Sequence, residues 1–159
     1  LADLALRTLA VAYRPLPDAP RAPEDESIER DLVYLGLVGI IDPPRAEAAS
    51  AIDEAHGAGL RVIMITGDHP GTAARIAGDL GIAPAGSRVL TGPDIAGLDD
   101  DGLREAMGEA SVCARVAPEQ KLRIVDALQA DGAIVAMTGD GVNDAPALKS
   151  ADIGRGSGQ

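Results

Sequence analysis

The residues with the clearest chemical potential lie in one segment, MTGDGVNDAPALKSAD, which runs from Met137 to Asp152. An apolar, strand-like run leads into its first eight residues, 137–144, which supply one hydroxyl, two carboxylates and one carboxamide: Thr138, Asp140, Asp144 and Asn143. Mg²⁺ prefers hard oxygen ligands and takes one or two carboxylates while sharing the phosphate of its substrate. Ligands of open α/β sheets collect at the carboxyl ends of strands. The segment therefore predicts a magnesium and phosphate site.

A second apolar run, Val62 to Ile65, ends in the same triplet, Thr66-Gly67-Asp68. The hydroxyl of Thr66 and the backbone amides after it could hold an anionic oxygen. A single Thr-Gly-Asp triplet is more often an ordinary turn and helix cap. Two such triplets, with Asn143 and Asp144 beside one of them, favour a shared site. They could meet only if their strands lie close together in one sheet and point the same way.

Four charged residues are candidates for this site, and three of them also have a plain interpretation. Asp140 is predicted to bind magnesium directly, and Asp144 to be an auxiliary ligand or only the cap of the next helix. Lys121, one turn into a helix, could reach a phosphoryl oxygen, although an exposed lysine is the commoner case. Arg115, at a strand end, is a phosphate or ribose contact or simply a charge facing water.

Other notable residues carry less chemistry. Asp42 to Arg45 reads equally well as an interdomain hinge or as a plain strand-to-helix turn. His56 and His69 have no partner at metal-ligand spacing and receive no role. Cys113 is predicted to be a small buried hydrophobic residue. Because it is the single cysteine of the sequence, no internal disulfide can form, which indicates a reducing compartment.

The elements that must position these residues alternate between strands and helices. Strands are predicted at 32–41, 61–65, 112–116 and 133–137, a minor strand at Val89 and Leu90, and a short acidic helix at 103–107. Further helices begin near Pro44, Pro70, Pro118 and Pro146. This alternation is typical of a parallel sheet with helices on both faces, that is, a Rossmann-like α/β fold.

The composition excludes several classes of partner. The 159 residues contain 14 Lys and Arg against 25 Asp and Glu, and the formal net charge of -11 argues against nucleic acid or an anionic membrane surface. Only two aromatic residues are present, so base stacking is not expected. No apolar run approaches the ~20 residues of a membrane span. The sequence as given is expected to be soluble.

Taken in order, the motifs resemble the phosphorylation domain of P-type cation-transporting ATPases, within the haloacid dehalogenase-like superfamily. The resemblance runs from about Leu4 to Gly154 and leans towards the calcium, sodium/potassium and proton pumps. It rests on Asp42-Pro43-Pro44-Arg45, Thr66-Gly67-Asp68, Ala114 to Pro118 with Lys121, and Thr138 to Leu148. It implies that residues 1–41 end a nucleotide-binding domain and its linker, that 42–154 are the C-terminal part of a phosphorylation domain, and that 155–159 are an atypical tail.

The resemblance also implies roles, with Mg²⁺ as cofactor and ATP as substrate. Asp140, with Asp144, would hold the metal, and Lys121 the transferring phosphoryl group. Thr66 and Gly67 would cradle that group. Four more residues would contact the phosphoryl group or the nucleotide: Asn143, Arg115, Asp68 and Arg7. The implied partners are the actuator, nucleotide-binding and transmembrane domains of a pump, with this chain on the cytoplasmic face of its plasma membrane.

The sequence departs from the family in what it lacks. The family's acceptor aspartate lies in Asp-Lys-Thr-Gly-Thr, which does not occur here, and after Gly154 the family pattern breaks. The acceptor strand is central in the family's sheet, between the strands that end at Thr66 and near Thr138. Without it, two apolar strand edges are exposed or pair directly. We therefore expect the isolated chain to be poorly folded or aggregation-prone, and not to phosphorylate itself.

Two other functions stay open at this point. One is a soluble phosphatase of the same superfamily, which the missing nucleophile and the Asp42-Pro43-Pro44-Arg45 element disfavour. The other is a non-catalytic remnant that binds Mg²⁺ or nucleotide. The transported ion is not expected to be readable, because membrane helices choose it.

Overall fold

A β-hairpin begins the part of the chain that the structure describes. The computed structural model describes residues 6–15, 29–40, 44–139 and 142–156. Strands β1 (Arg7–Tyr13) and β2 (Val33–Ile40) pair antiparallel, which confirms the predicted strand at 32–41 to within a residue at each end. The chain divides into two compact units, Leu1–Pro43 and Pro44–Gln159, and the hairpin belongs to the first.

The hairpin exposes apolar side chains along both strands. Four of them, Leu9, Tyr34, Leu35 and Leu37, are more than half exposed. A two-stranded hairpin without a packed face is at best marginally stable. The described residues of Leu1–Pro43 do not supply a cover for it.

The second unit contains the remaining elements. In order they are α1 (Ala46–Gly57), β3 (Met64–Ile65), α2 (Pro70–Asp79), β4 (Val89–Thr91), α3 (Gly92–Gly97), α4 (Asp100–Glu109), β5 (Val112–Ala114), α5 (Pro118–Ala130), β6 (Ala136–Gly139), a 3₁₀ turn (Val142–Asp144), α6 (Ala145–Ser150) and β7 (Ile153–Gly156). Pro70 and Pro118 begin their helices as predicted, where the missing N–H costs no hydrogen bond. Pro44 lies just before α1, whose N-cap is Arg45.

Three parallel strands form the central sheet in the order β3-β5-β4. Side chains of β5 alternate between two apolar clusters. Val112 and Ala114 pack with Ala73 and Ala77 of α2, whereas Cys113 belongs to the cluster built from α3, α4 and α5. Since successive strand residues point to opposite faces, helices cover both faces of this sheet. The predicted α/β fold with a parallel sheet is confirmed.

The strands are shorter or displaced relative to the prediction. β3 includes only the end of 61–65, and β5 stops at Ala114 because Arg115 has a left-handed backbone with φ of 54°. β6 begins at Ala136 and includes Thr138 and Gly139, which the sequence had placed in a loop. The reason is a partner strand: Ala136 to Gly139 pair in parallel with Ile153 to Gly156 of β7.

β7 was not predicted. Its sequence, Ile-Gly-Arg-Gly, has neither the alternation nor the β-branched content of a typical strand. Pairing with β6 defines it, and residues of the expected atypical tail, Arg155 and Gly156, continue that pairing. Residues 157–159 lie outside the described part of the chain.

A cleft separates the two parallel sheets. β3 pairs only with β5 and β6 only with β7 within the described ranges, so one edge of each strand has no partner strand. Both edges line a cleft of about 910 Å³, together with the end of α1 and the start of α5. Of the two outcomes predicted for these edges, the structure has the unpaired one. Ile134, beside β6, is 81% exposed as a result.

No helix in the described ranges is both long and apolar enough to cross a membrane.

Candidate phosphate and magnesium site

The Thr66-Gly67-Asp68 triplet forms a hydrogen-bonded turn at the end of β3. The Thr66 hydroxyl donates to Asp68 Oδ2 at 2.9 Å, and the Asp68 N–H donates to Thr66 Oγ1 at 3.1 Å. The cap of α2 is His69, whose Nδ1 accepts from the Gly71 N–H at 3.2 Å. The plain interpretation of the triplet is thus half right: it is a turn, but His69 rather than Asp68 caps the helix. This capping role is one that the sequence did not assign to His69.

Gly67 leaves open space above this turn. No atom outside its immediate chain neighbours lies within 4 Å of where a Cβ would be. Its lack of a side chain is therefore not required by packing. It leaves room for a ligand to approach the backbone closely.

The turn is tied to a second turn at the end of β5. Arg115 N–H donates to the Asp68 carbonyl at 3.1 Å, and Val116 N–H donates to the Thr66 carbonyl at 3.1 Å. Arg115 occupies the left-handed region, which costs a non-glycine residue about 1–3 kcal/mol unless its surroundings hold it there. Its side chain is exposed and has no hydrogen-bond or salt-bridge partner among the described residues.

Lys121 and Asp144 form the strongest electrostatic contact of the site. Lys121 Nζ donates to Asp144 Oδ1 at 2.6 Å, with the two side chains 18% and 8% exposed. Asp144 occupies the N-cap position of α6 but makes no side-chain capping bond. The capping interpretation of Asp144 is therefore wrong, and the carboxylate instead positions the ammonium group of Lys121.

Gly139 makes this pairing possible. A Cβ at Gly139 would lie 2.8 Å from Asp144 Oδ2 and 3.0 Å from its Cβ. A side chain at residue 139 would therefore require the Asp144 side chain to move from its place against the end of β6.

The two triplets meet across the cleft rather than within one sheet. Its lining includes Thr66, Gly67, Lys121, Thr138, Gly139 and Asp144. The predicted requirement that both strands share one sheet is incorrect, because β3 and β6 belong to separate sheets. Their carboxyl ends nevertheless converge on the same opening.

The remaining predicted residues are placed less closely. Asn143 is exposed in the 3₁₀ turn, and the backbone of Arg7 begins β1 in the other unit. Asp140 and Asp42 lie outside the described residues, so the role of Asp140 stays a prediction. The roles of Asn143 and Arg7 do as well.

The donor chemistry around Asp144 fits magnesium. Among the described residues no group of three or more acidic, histidine or cysteine side chains is placed to hold a metal. Mg²⁺ does not require such a cage, because it keeps several waters and takes one or two carboxylates plus substrate phosphate. Asp144 places a buried carboxylate at the cleft, paired with Lys121, and its binding of Mg²⁺, like that of Asp140, stays a prediction.

The sequence analysis did not identify two residues of this site, Gln120 and Gly92. Gln120 accepts from the Ala117 N–H at 2.9 Å and donates to the Gly92 carbonyl at 2.8 Å. Gly92 allows the Arg115 carbonyl oxygen to approach closely, since a Cβ at residue 92 would lie 2.2 Å from that oxygen. A glutamine three residues after an N-cap is a known capping signal, but the N-cap here is Ala117, which lacks the hydroxyl of the full motif.

Asp152 fixes the start of β6 from the other side. It accepts from the Val135 N–H at 2.9 Å and from Gln129 Nε2 at 3.1 Å. The Val135 bond first, and the Gln129 bond second, hold the pKa of Asp152 below its usual value. The strand that carries Thr138 and Gly139 is thus tied to α5, the helix that carries Lys121.

Comparison with known proteins shows the family of the chain. Residues 3–152 match the family model described as haloacid dehalogenase-like hydrolase. The chain is 53% identical over 154 residues to a calcium-transporting ATPase of Bacillus subtilis, with 97% of this chain and 17% of that protein covered. It is 51% identical over 158 residues to a probable cation-transporting ATPase F of Mycobacterium tuberculosis, covering 97% of the chain and 18% of the relative.

A third relative is the cation-transporting ATPase pma1 of Synechocystis, 50% identical over 155 residues, with 97% of the chain and 17% of the relative covered. The chain therefore spans about a sixth of the length of these relatives. The resemblance to P-type cation-transporting ATPases is confirmed. The chain belongs to the haloacid dehalogenase-like hydrolase family, in which its relatives are cation-transporting ATPases.

Proposed function

We propose that this chain is the C-terminal part of the phosphorylation domain of a P-type ATPase, which couples ATP hydrolysis to cation transport across a membrane. The observation that carries the proposal is the convergence of Thr66, Gly67, Lys121 and Asp144 on one cleft. The similarity of nearly the whole chain to cation-transporting ATPases supports it. The unit boundary after Pro43 agrees with a nucleotide-binding remnant before residue 42 and a phosphorylation domain after it.

The cleft also supports a location for the missing nucleophile. It lies between two strand edges that have no partner strand in the described ranges, so an extended segment inserted there would bond to β3 on one side and β6 on the other. A carboxylate at the end of that segment would lie among Thr66, Gly67 and Lys121. The acceptor aspartate of the parent pump is such a carboxylate, and it is absent from this sequence.

The residues divide the work of phosphoryl transfer. Thr66 and the open backbone at Gly67 hold phosphoryl oxygens, and Lys121 places a positive charge beside them. Asp144 orients Lys121, and with Asp140 it supplies carboxylate oxygen to Mg²⁺. The metal would neutralise phosphate charge as the group transfers. Asn143 contacts the phosphoryl group, and Asp68 and Arg115 contact the nucleotide.

The reaction itself occurs on the absent aspartate. A carboxylate oxygen of that aspartate bonds to the γ-phosphorus of ATP, and the bond from this phosphorus to the bridging oxygen breaks to release ADP. Water then attacks the phosphorus, which returns the free carboxylate and inorganic phosphate and releases one proton. This chain supplies the electrostatic clamp for both steps.

A chimeric pump tests the proposal. In the calcium-transporting ATPase of Bacillus subtilis, the 154 matched residues are replaced by those of this chain. We expect calcium-stimulated ATP hydrolysis within tenfold of the unmodified pump, with equal amounts of protein in the membrane. A chimera that accumulates normally and forms no phosphoenzyme from ATP would falsify the proposal.

The isolated chain should not label itself. Incubation with γ-labelled ATP and Mg²⁺ should leave no acid-stable label, because the nucleophile is absent. Nucleotide titration of the same chain with and without Mg²⁺ separates a residual binding module from an inert remnant. Acid-stable label on the chain would show that another residue accepts the phosphoryl group.

A further inference from the structure

We propose that Gln120 is a positioning residue that holds Arg115 in its left-handed conformation and thereby sets nucleotide affinity. This inference rests on the proposed function, in which Arg115 faces the nucleotide. The clamp that carries it consists of Gly92, Arg115, Ala117 and Gln120.

The turn at Arg115 is held from two sides. On one side, Arg115 and Val116 donate their N–H groups to the Thr66-Gly67-Asp68 turn. On the other side, the Arg115 carbonyl oxygen lies against Gly92, so close that a Cβ at residue 92 would come within 2.2 Å. A left-handed residue persists only where its surroundings fix it in this way.

On the second side, the Gln120 side chain connects Gly92 to Ala117. Its Nε2 donates to the Gly92 carbonyl at 2.8 Å, and its Oε1 accepts from the Ala117 N–H at 2.9 Å. One amide thus ties the start of α3 to the last residue before α5. It adds a side-chain link between Gly92 and the residues that follow Arg115, beside the β4–β5 ladder that pairs Thr91 with Ala114.

Loss of this link should affect Arg115 and spare Lys121. The ammonium group of Lys121 is held by the Asp144 carboxylate, at the end of β6 rather than at the Arg115 turn. Relaxation of Arg115 to negative φ would turn its exposed guanidinium away from its present direction. Steps that use nucleotide should therefore suffer, and steps that use only phosphate should not.

The test uses the chimeric pump with Gln120→Ala and Gln120→Glu. A carboxylate at residue 120 still accepts from Ala117 N–H but cannot donate to the Gly92 carbonyl. We expect both variants to raise the KM for ATP about tenfold, the effect of one lost charge-assisted contact. Phosphoenzyme formation from inorganic phosphate and Mg²⁺ should stay within twofold.

Gln129→Ala is the matched control. Gln129 lies on the same helix and also makes two amide bonds, to the Ser150 carbonyl at 2.9 Å and to Asp152 at 3.1 Å, but it does not contact the Arg115 turn. Gln129 supports β6 through Asp152 and not the Arg115 turn, so Gln129→Ala should leave the KM for ATP unchanged. Gly92→Ala, which presses directly on the Arg115 carbonyl, should reproduce the Gln120→Ala phenotype.

Hydrogen exchange on the membrane-bound chimera gives a readout that does not need activity. The amides of Arg115 and Val116 should exchange faster in Gln120→Ala and at the original rate in Gln129→Ala. Unchanged exchange, an unchanged KM, or equal losses with ATP and with inorganic phosphate would each overturn the proposal. Failure of the proposed function is distinct, because the parent chimera would then form no phosphoenzyme before any substitution.

Discussion

At the scale of single residues, the pair between Lys121 and Asp144 decides what the cleft can do. The two groups are 2.6 Å apart and mostly buried, so neither is well hydrated. Removing one partner of a buried pair leaves an uncompensated charge, whose cost is about 3–5 kcal/mol. The pair therefore keeps a positive charge ready at the cleft and makes that charge sensitive to both partners.

Lys121→Ala should abolish phosphoryl transfer in the chimeric pump. We expect phosphoenzyme formation to fall at least about 100-fold, the effect of removing one electrostatic contact to a transferring group. The matched control is Lys149→Ala, which removes an exposed lysine of α6 and should change the rate less than twofold. Normal phosphorylation in Lys121→Ala would remove Lys121 from the site.

Cys113 links stability to pH through its burial. Burial raises the pKa of its thiol to about 12, and the nearby positive charge of Arg61 lowers it only in part. The folded pKa lies above the unfolded value of 9.0, so the thiol contributes stability that is complete below about pH 9. That contribution is lost as the pH rises towards 12.

Urea unfolding at pH 8, 9, 10 and 11 tests this linkage. At submicromolar chain concentration, the free energy of unfolding of the sheet around β5 should fall above pH 9 by about 1.4 kcal/mol per pH unit. Cys113→Ala should lack this component of the slope, and the difference between the two proteins is the measured quantity. Parallel pH profiles for both proteins would mean that the thiol is accessible to water.

At the scale of elements, prediction from sequence succeeded where the signal is local. Pro70 and Pro118 mark helix starts through a preference of single residues, and the turn at Thr66 to Asp68 depends on neighbours in sequence. The pairing of Lys121 with Asp144 joins residues 23 positions apart, and the sequence assigned each to phosphate or metal without linking them. Such a contact is set by packing, which no local pattern encodes.

The same distinction explains β7 and the clamp at Gln120. Ile-Gly-Arg-Gly becomes a strand only because β6 offers it an edge. Gln120 and Gly92 are 28 positions apart, and the left-handed backbone of Arg115 depends on both turns that flank it. The sequence therefore predicted the parallel α/β fold and residues that line the cleft. It did not predict the contacts that hold those residues in place, such as the Lys121–Asp144 pair and the Gln120–Gly92 hydrogen bond.

Gly154 in β7 provides a test at this scale. A Cβ at Gly154 would lie 2.0 Å from the Leu148 carbonyl oxygen of α6, so Gly154→Ala should force β7 away from α6. We expect a loss of about 1–3 kcal/mol in the stability of the β6–β7 pair, as for other overpacked sites. Hydrogen exchange of the β6 amides measures this.

Gly156→Ala is its control within the same strand. At Gly156 the nearest atom to a new Cβ is 4.0 Å away, so exchange in β6 should not change. Equal effects of the two substitutions would show that β7 is sensitive to alanine in general rather than to contact with α6.

At the scale of the whole molecule, each of the two units exposes an apolar surface. One is the hairpin of β1 and β2, and the other is the cleft between β3 and β6, where Leu60 is 61% exposed and Ile134 is 81% exposed. Unpaired edges next to exposed apolar residues favour pairing between chains. The net charge of -11 makes the chains repel one another and so opposes such pairing. Salt screens this repulsion, so pairing becomes easier as the salt concentration rises.

We therefore expect the isolated chain to self-associate as concentration and salt rise, and to melt broadly by circular dichroism. A peptide of about ten residues, an apolar strand followed by the Asp-Lys-Thr-Gly-Thr that the family resemblance implies, should fill the cleft and bond to both edges. Added in excess, it should shift the chain towards monomer in sedimentation and sharpen the melt. A scrambled peptide of the same composition should do neither, because register and alternation decide which side chains face the core. A monomeric chain with a cooperative melt in the absence of peptide would contradict the expectation, and would mean that the two sheets are stable with their edges unpaired.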